Sequence, residues 1–337
     1  MIKIAIDSGT TNCRVKFIEG STVRCEKKGN VGIKDVAATG SVKVLVDTIR
    51  ELITKGLFEL NLETKDIDYV VGSGMITSNL GLMEIPHLLA PADYKTFGDN
   101  LKELHFDWLE ERPFFLVPGM KNIEAKHIEE LEQIDVMRGE EAEAFGAIRD
   151  KKLGKKNLLI LPGSHTKYVE VDRDGALTSC ATTMLGELLS ALQESTILKD
   201  TIPQGLVESI DEKYINIGAA YHAKYGLSRA AFATRLLQIQ LTTTPNARAN
   251  FIAGALVADD LNDDLLKRIV SDEFDSVVLG GSDPLKSVFN HVLVFKGVAK
   301  EKITILDEMT SKHAPAMGAI KIVDYYLSKR REKEGMV

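Results

Sequence analysis

The feature that most constrains the fold of this chain is a strand–turn–strand pattern that occurs twice. In the first copy, an apolar run leads into a small polar turn formed by Asp7, Ser8, Gly9, Thr10, Thr11 and Asn12. In the second copy, an apolar run leads into a turn that contains Gly163, Ser164, His165, Thr166 and Lys167. Aligning the copies with an offset of 154 positions places Gly163 on Gly9, Thr166 on Asn12, Val169 on Val15 and Val171 on Phe17. The repetition predicts two related α/β halves.

Both turns are rich in glycine and hydroxyl side chains, which suits them to binding phosphate. Such a turn directs backbone N–H groups and hydroxyls toward phosphate oxygens. Two of them in duplicated halves indicate one polyphosphate held between two lobes, and therefore a nucleotide. Mg²⁺ prefers one or two carboxylates together with phosphate oxygens. We therefore predict that Asp7 holds Mg²⁺, the alternative being an aspartate that caps its own turn.

The basic residues of the second turn have two interpretations. His165 and Lys167 could bring basic groups to the phosphates, or they could be a turn hydrogen-bonder and a solvated edge lysine. A third glycine turn, after an apolar strand, consists of Gly280, Gly281 and Ser282. Glycine lets a ligand approach the backbone closely. We predict that this third turn binds adenosine.

A candidate catalytic segment, V-M-R-G-E-E, includes Arg138, Glu140 and Glu141. Phosphoryl transfer to an alcohol calls for a carboxylate that orients the hydroxyl and accepts its proton. We predict Glu140 as this general base, with Glu141 as the alternative. Glu143 is left out because it faces a different direction on the predicted helix. Carboxylates also favour a helix N-terminus through its dipole, so simple capping is the competing interpretation.

Composition limits the function classes that this chain can serve. Its 337 residues favour two domains, each large enough for a core of its own. The net charge of −7 argues against nucleic acid or an anionic membrane as the main partner. No apolar run approaches the roughly 18 residues that span a bilayer. The chain enters a strand directly after Met1, which leaves no room for a signal peptide, and three cysteines without metal-ligand spacing suit a reducing cytoplasm.

Hydrophobic periodicity predicts the order of the elements. Strands are expected near 4–8, 13–17, 23–26, 68–71, 114–117, 158–161, 167–171, 276–279 and 303–306. Helices are expected over 42–53, 140–147, 184–198, 204–225, 228–240, 247–265 and 315–337. The proline-containing segment 86–99 is predicted to be a loop. The basic stretch 151–156 is predicted to connect the two domains.

Four motifs together resemble the 2-dehydro-3-deoxygalactonokinase family of the sugar kinase, actin and heat-shock chaperone superfamily. They are D-S-G-T-T-N at Asp7, V-M-R-G-E-E at Val136, P-G-S-H-T-K-Y-V at Pro162 and L-G-E-L-L at Leu185. The resemblance extends from Met1 to the terminal helix. Ser8 and Tyr168 depart from the family pattern, which usually has tryptophan at both positions. They alter the walls of the turns rather than their backbone donors.

The resemblance implies an α/β, two-domain ribonuclease-H-like (actin-like ATPase) fold with duplicated, mixed five-stranded sheets flanked by helices. The first domain would comprise 1–154 together with the terminal helix 315–337, and the second would comprise 155–314. ATP with Mg²⁺ would use both phosphate turns, with the adenosine in the second domain. Candidates for contact with a sugar acid are Gly74, Met75, Ser78, Asn79, Arg138 and Glu187.

The resemblance also implies the reaction, which is phosphorylation of 2-dehydro-3-deoxy-D-galactonate by ATP at its terminal (6-) hydroxyl. Arg138 could bind the carboxylate of the acid through a bidentate pair, or it could steady the phosphates. Two other functions stay open, an exopolyphosphatase-like phosphohydrolase and a non-enzymatic actin-like nucleotide switch. The expected partners are the sugar acid and ATP, and a homo-oligomer is left open.

Overall fold

The computed structural model describes residues 1–335, which divide into two compact units, each with its own hydrophobic core. Unit 1 comprises Met1–Lys152, Asp174–Cys180 and Lys312–Val337. Unit 2 comprises Leu153–Arg173 and Ala181–Ser311. No helix among the described residues is both long enough and apolar enough to cross a bilayer.

The strands are two to eight residues long. They are β1 (Ile2–Ser8), β2 (Cys13–Glu19), β3 (Thr22–Gly29), β4 (Ile67–Gly74), β5 (Leu88–Leu89), β6 (Lys102–Leu104), β7 (Phe114–Leu116), β8 (Met120–Lys121), β9 (Val136–Met137), β10 (Lys156–Leu161), β11 (Thr166–Asp172), β12 (Leu177–Thr183), β13 (Ser276–Leu279) and β14 (Ile303–Ile305).

Most of the helices lie in the second half of the chain. They are α1 (Ile33–Thr39), α2 (Lys43–Leu60), α3 (Tyr94–Asp99), α4 (Glu140–Ala147), α5 (Leu185–Ser195), α6 (Glu212–Tyr225), α7 (Leu227–Ile239), α8 (Pro245–Asp260), α9 (Asp263–Val270), α10 (Leu285–Phe295) and α11 (Glu308–Lys333). Short 3₁₀ segments occur at Thr64–Asp66, Met75–Thr77, Asp107–Leu109, Ile128–Gln133 and Lys300–Lys302.

The main sheet of unit 1 has six strands in the order β3-β2-β1-β4-β7-β6, rather than the predicted five. β1 is antiparallel to β2 and parallel to β4, and β4 is parallel to β7. The additional strand, β6, is antiparallel to β7. Its three residues are too few to give an alternating hydrophobic signal in the sequence. Because β1 and β4 run in the same direction, their carboxyl ends meet at the first phosphate turn.

A small second sheet in unit 1 has the strand order β5-β8-β9. β5 lies within the segment 86–99, which also contains α3, so the prediction of a loop there is wrong. Each strand of this sheet has two residues. Helix α3 is also short, and Asp93 caps it by accepting a hydrogen bond from Thr96 N. Elements this short are set by tertiary contacts and leave no periodic pattern.

The other large sheet has five strands in the order β12-β11-β10-β13-β14, as predicted. β10 is antiparallel to β11 and parallel to β13, and β13 is parallel to β14. This arrangement repeats β3-β2-β1-β4-β7 of unit 1, so the predicted duplication is confirmed.

The second phosphate turn is one residue shorter than the first. Asp7 pairs with Arg14 across the first turn. Leu161, which corresponds to Asp7, pairs with Lys167, one position earlier than an exact repeat requires. The equivalences predicted after the turn are therefore wrong by one position: Thr166 corresponds to Cys13, Val169 to Lys16 and Val171 to Ile18.

Two predicted helices of unit 2 have different limits in the structure because polar caps start new helices. α6 begins at Glu212 rather than at 204, since the side chain of Asp211 accepts a hydrogen bond from Tyr214 N. The helix predicted over 247–265 is two helices, α8 and α9. Asn262 separates them by accepting a hydrogen bond from Leu265 N.

The terminal helix α11 begins at Glu308 and contains Pro315, which was predicted to be its first residue. Proline is usual in the first turn of a helix, where the N–H that it lacks would have no partner. Pro315 instead lies inside α11. The carbonyl of Lys312, about one turn before Pro315, accepts a hydrogen bond from Lys16 Nζ. The predicted continuation of the helix over 336–337 lies outside the described residues.

Candidate active site

The first phosphate turn is held in shape by the start of α1. The N–H of Gly9 donates to the carbonyl of Asn12 (2.9 Å), which closes the turn. The N–H of Ile33 donates to the carbonyl of Gly9 (3.2 Å). A Cβ at Gly32 would lie 2.4 Å from the carbonyl oxygen of Thr10, so only glycine allows this approach. The turn is therefore preorganised by its own backbone contacts.

Two observations support the prediction that this turn binds phosphate. Ser8 Oγ is buried and has no hydrogen-bond partner within residues 1–335. A Cβ added at Gly9 would meet nothing closer than the carbonyl oxygen of Asn12, at 3.8 Å. A buried hydroxyl without a partner is unfavourable. A ligand oxygen that accepts a hydrogen bond from Ser8 Oγ would therefore be stabilised.

Asp7 lies among other charged side chains of unit 1. Its Oδ2 is 3.4 Å from Arg14 Nη1. Burial raises the pKa of Asp7, while Arg14 and Lys16 lower it. Burial, followed by the charges of Glu140 and Asp7, raises the pKa of Glu143 to about 8. Carboxylates that repel one another beside a phosphate turn suit a divalent cation.

Three segments of unit 1 meet at the carboxyl ends of β1 and β4. Ser8 pairs with Gly74 across these strands. A Cβ at Gly74, whose φ is +88°, would lie 2.5 Å from the carbonyl oxygen of Ser8. A Cβ at Gly139, whose φ is +114°, would lie 2.9 Å from Gly74 Cα. The first phosphate turn, the end of β4 and the start of α4 are therefore in direct contact.

Replacing Gly74 by alanine is expected to destabilise unit 1 and to reduce turnover, because the new Cβ meets Ser8 O. Gly20 is a matched control, since its φ is +60° but no atom lies within 4 Å of an added Cβ. We expect Gly20→Ala to cost only the strain of a left-handed residue, roughly 1–2 kcal/mol. Gly74→Ala should lower the free energy of unfolding further in urea denaturation. Equal decreases in the free energy of unfolding of the two variants would contradict the close contact between Gly74 and the carbonyl oxygen of Ser8.

The two candidate bases occupy different environments at the start of α4. Glu141 is 1% exposed, and its two carboxylate oxygens accept hydrogen bonds from Met120 N (2.7 Å) and Gly139 N (2.6 Å). Burial, followed by the charge of Glu140, raises the pKa of Glu141 to about 7. Glu140 is half-buried, and its Oε2 accepts a hydrogen bond from Arg138 N (3.0 Å). Glu141 ties β8 to α4, whereas Glu140 remains the more accessible carboxylate.

Replacing Glu141 by glutamine is expected to cost stability rather than chemistry. Both of its oxygens accept backbone hydrogen bonds, and the amide of glutamine replaces one acceptor with a donor. A buried N–H left without its acceptor costs about 1–3 kcal/mol. We therefore expect the free energy of unfolding, measured by urea denaturation, to fall by that amount. Glu132→Gln, at an exposed position, is the control and should leave stability unchanged. Normal stability of Glu141→Gln would contradict the proposed contribution of these two hydrogen bonds to stability.

Arg138 is engaged by the protein itself. Its Nη1 donates to the carbonyl (2.6 Å) and the hydroxyl (2.7 Å) of Thr77. Its Nη2 donates to the carbonyl of Ile85 (3.0 Å) and lies 3.2 and 3.3 Å from the ring nitrogens of His87. Because both terminal nitrogens are occupied, the geometry favours a positioning role for Arg138 over a bidentate pair with a substrate carboxylate.

The other sugar-acid candidates of unit 1 follow β4 in a 3₁₀ turn. Met75 begins this turn, and the buried Oγ of Ser78 donates to the carbonyl of Met75 (2.8 Å). Thr77, the partner of Arg138, lies in the same turn, and Asn79 is exposed. The structure therefore places these candidates close to the contact between Arg138 and Thr77. Their binding of a sugar acid stays a prediction.

The second phosphate turn packs against the start of α5. A Cβ at Gly186 would lie 2.3 Å from the carbonyl oxygen of Gly163. The N–H of Glu187 donates to the carbonyl of Ser164 (3.1 Å). The carboxylate of Glu187 is 3.0 Å from His165 Nε2. Glu187 therefore lies in unit 2 beside the phosphate turn, and its predicted contact with the sugar acid stays a prediction.

The start of β11 is buried below this turn. Lys167 is 5% exposed, and its Nζ donates to Thr182 Oγ1 (2.7 Å), so the alternative of a solvated edge lysine is wrong. Thr166 is fully buried, and the hydroxyl of Tyr168 donates to Asp260 Oδ2 (2.7 Å). Burial raises the pKa of Asp260, and the neighbouring hydroxyls lower it. A buried carboxylate therefore anchors the strand that follows the turn.

The third glycine turn packs on the second phosphate turn. The N–H of Gly280 donates to the carbonyl of Ile160 (2.9 Å). Gly281 has a φ of +72°, and a Cβ there would lie 2.7 Å from the carbonyl oxygen of Pro162. Ser282 is exposed. The predicted adenosine turn is thus adjacent to the predicted phosphate turn within unit 2.

Two residues with suitable chemistry near these contacts, Lys16 and His87, were not identified from the sequence, and a third, Glu143, was considered and left out. Glu143 lies three residues after Glu140, and residues with that spacing share one face of a helix, so this signal was available. Lys16 is 6% exposed although its strand neighbours are apolar, and His87 lies in the segment predicted to be a loop. Their positions depend on contacts that are distant in the sequence.

Comparison with characterised families identifies relatives of this chain. The family model described as 2-keto-3-deoxy-galactonokinase matches residues 7–313. The 2-dehydro-3-deoxygalactonokinase of Escherichia coli (strain K12) is 24% identical over 265 residues, which are 77% of this chain and 78% of that protein.

Two solved structures share the fold. A protein from Sinorhizobium meliloti, provisionally named a 2-dehydro-3-deoxygalactonokinase, has a TM-score of 0.72 at 21% identity and covers 95% of this chain and 97% of its own. The activator of the 2-hydroxyisocaproyl-CoA dehydratase from Clostridium difficile, with bound ADPNP, has a TM-score of 0.50 at 12% identity and covers 98% of both chains. These likenesses confirm the predicted actin-like ATPase fold. From the match over residues 7–313, the chain belongs to the 2-keto-3-deoxy-galactonokinase family.

Proposed function

We propose that this protein is an ATP-dependent sugar-acid kinase of galactonate catabolism. It transfers the γ-phosphoryl group of ATP to the terminal (6-) hydroxyl of 2-dehydro-3-deoxy-D-galactonate. The three buried, unbridged thiols suit a reducing cytoplasm. The observation that carries the proposal is the contact between the first phosphate turn, the end of β4 and the start of α4. This contact supports the proposal because the helix start that carries Glu140, the proposed base for the alcohol, packs close to the turn proposed to bind phosphate.

In the proposed mechanism Glu140 is the general base. The terminal hydroxyl of the sugar acid attacks the γ-phosphorus, its proton passes to the Glu140 carboxylate, and ADP leaves. The start of α4 holds Glu140 in place, because Gly139 contacts Gly74 and Glu141 ties the same turn to β8. Positioning and electrostatic stabilisation supply most of the catalysis in phosphoryl transfer.

The residues present fit a Mg²⁺–ATP complex. Asp7 and Glu143 would hold the cation, since both are carboxylates with raised pKa values that a nearby cation would lower. When bound, Mg²⁺ neutralises charge on the transferred phosphoryl group. Ser8 would donate its unpaired hydroxyl to a phosphate oxygen. Arg14, 3.4 Å from Asp7, would limit repulsion between the carboxylates and the phosphates.

Within unit 2, the proposal assigns nucleotide contacts to two turns. Phosphate oxygens would accept hydrogen bonds from the turn formed by Gly163, Ser164, His165, Thr166 and Lys167. Adenosine would lie against the turn formed by Gly280, Gly281 and Ser282. The close packing of Gly281 on Pro162 supports treating the two turns as one binding surface.

ADP formation with and without the sugar acid tests the proposal. A kinase should release ADP rapidly only when 2-dehydro-3-deoxy-D-galactonate is present. A phosphohydrolase should release ADP at the same rate without the acid, and a nucleotide switch should hydrolyse slowly in both conditions. Galactose and glucose are the neutral controls, because a site built for a carboxylate rejects ligands that leave its donors unpaired. Efficient phosphorylation of either neutral sugar would contradict the proposed substrate class.

A further inference from the structure

The small sheet of unit 1 has one buried face and one face that carries polar groups. On the buried face, Met120 lies opposite Leu88 on one side and Met137 on the other. The next row contains Leu89, Lys121 and Val136, and its side chains point to the opposite face because side chains alternate along strands. Leu89 is 51% exposed and Val136 is 48% exposed. We call this second surface the outer face.

At one end of the outer face, the row His87, Gly119 and Arg138 follows the same alternation. Gly119 has no side chain, and the imidazole of His87 lies close to its backbone. A Cβ at Gly119 would lie 2.6 Å from His87 Cδ2 and 2.7 Å from the carbonyl oxygen of Met137. Arg138 Nη2 approaches the imidazole from the other side, at 3.2 and 3.3 Å from its nitrogens.

The charges around His87 make this end of the outer face suitable for an anion. Burial, followed by the positive charges of Arg138 and Lys121, lowers the pKa of His87 to about 4. The ring is therefore neutral near pH 7. A neutral imidazole has one acceptor nitrogen and one N–H donor, and an arginine N–H can only donate to the acceptor. The acidic groups nearest to Arg138 are Glu141 and Glu84.

The fixed position of Arg138 links this face to the reacting groups. Its backbone N–H donates to Glu140 Oε2 (3.0 Å), and Gly139 follows it at the contact with Gly74. The chain therefore leads from β9 on the outer face, through Arg138 and Gly139, directly to the start of α4. A sugar acid carries its carboxylate and its terminal hydroxyl at opposite ends. A ligand with its hydroxyl at Glu140 can extend along this segment toward His87.

We propose that the outer face, with His87 and Lys121, binds the carboxylate end of the sugar acid, and that Arg138 acts as a positioning residue that holds His87. This inference rests on the proposed kinase function. In this arrangement the N–H of His87 donates to the carboxylate or to the adjacent keto oxygen. Lys121, whose present partner is the exposed carboxylate of Glu124, supplies the positive charge.

Substitution of the two side chains in the full-length protein tests the assignment. We expect His87→Gln and Lys121→Met each to raise KM for 2-dehydro-3-deoxy-D-galactonate roughly ten- to a hundredfold, the loss of one charge-assisted hydrogen bond. KM for ATP should change little, and Lys121→Arg should retain most of the affinity. The matched controls are His105→Gln and Lys102→Met, at exposed positions in or next to β6. Thermal melting reports whether each variant is folded.

Calorimetry without ATP separates this inference from the kinase proposal. Titration of the sugar acid into wild type and variants measures binding directly. If wild type binds the acid through His87 and Lys121 but does not phosphorylate it, the kinase proposal is overturned and the binding role of the outer face is supported. If wild type phosphorylates the acid while both variants keep their affinity for it, only the binding role of the outer face is overturned. Absence of binding to wild type would overturn both.

Proton uptake on binding gives a readout that a merely structural role of His87 would not change. The charged groups facing His87 are Arg138 and Lys121, with Glu84 beside Arg138. A bound carboxylate raises the pKa of His87 from about 4, so at about pH 5 the complex takes up protons. Calorimetry in two buffers of different ionisation enthalpy measures this uptake. His87→Gln should abolish it, and uptake that persists in this variant would contradict the contact.

Discussion

Replacing Asp7 by asparagine is expected to reduce ATP turnover at least about a hundredfold while the protein stays folded, because the substitution removes the charge that is proposed to hold Mg²⁺ at the phosphates. Asparagine keeps the size of the side chain, and within residues 1–335 the Asp7 carboxylate makes one long contact, 3.4 Å to Arg14. Loss of fold is therefore not expected. The measurement is kcat across a Mg²⁺ titration, together with the thermal melting of each variant.

The control for this substitution is Asp47→Asn, on the exposed face of α2, where the same chemical change should leave turnover unaffected. If Asp7 helps to hold the cation, the variant should also need more Mg²⁺ for half-maximal activity. Near-normal turnover of Asp7→Asn at saturating Mg²⁺ would show that the carboxylate caps its own turn. The second phosphate turn has Leu161 at the matching position, so no equivalent carboxylate there can compensate.

Replacing Glu140 by glutamine is expected to lower kcat by roughly a hundred- to ten-thousandfold, which is the usual contribution of a positioned general base. Glutamine keeps an oxygen that can accept the hydrogen bond of Arg138 N, so the start of α4 should be retained. Binding of ATP should change little, because the base acts on the acceptor hydroxyl. Single-turnover kinetics with saturating sugar acid measures the chemical step directly.

Glu141→Gln distinguishes the two glutamates at this helix start. We expect this variant to lose stability, since both oxygens of Glu141 accept backbone hydrogen bonds. A stable Glu141→Gln variant with greatly reduced kcat, together with an active Glu140→Gln variant, would reverse the two roles. Normal kcat in both variants would leave the carboxylates as helix caps only.

The repeated pattern in the sequence was sufficient to predict the duplicated sheets, because buried strands before glycine turns give a strong local signal. It could not predict the shorter second turn. That difference appears only in the pairing of Leu161 with Lys167 across the ladder. The sixth strand of unit 1 and the two-residue strands β5, β8 and β9 were also beyond reach, since periodicity needs several residues.

The sequence predicted residue types for the candidate site, but it could not predict most of their contacts. It placed Arg138 beside the proposed base and suggested a contact with the substrate. In the structure its terminal nitrogens reach Thr77, Ile85 and His87, which are more than fifty positions away in the chain. Partners at such separations follow from the packing of β9 against the turn after β4. No local pattern of residues encodes them.

Identification of the product tests the central claim most directly. The protein is incubated with ATP, Mg²⁺ and 2-dehydro-3-deoxy-D-galactonate, and phosphorus and carbon NMR spectra locate the new phosphate ester. The proposed function predicts an ester at the terminal (6-) carbon, formed in the same amount as ADP. Inorganic phosphate in place of the ester, or equal ADP formation without the acid, would contradict a kinase. A preference for the gluconate epimer would change the assigned stereochemistry and leave the kinase reaction in place.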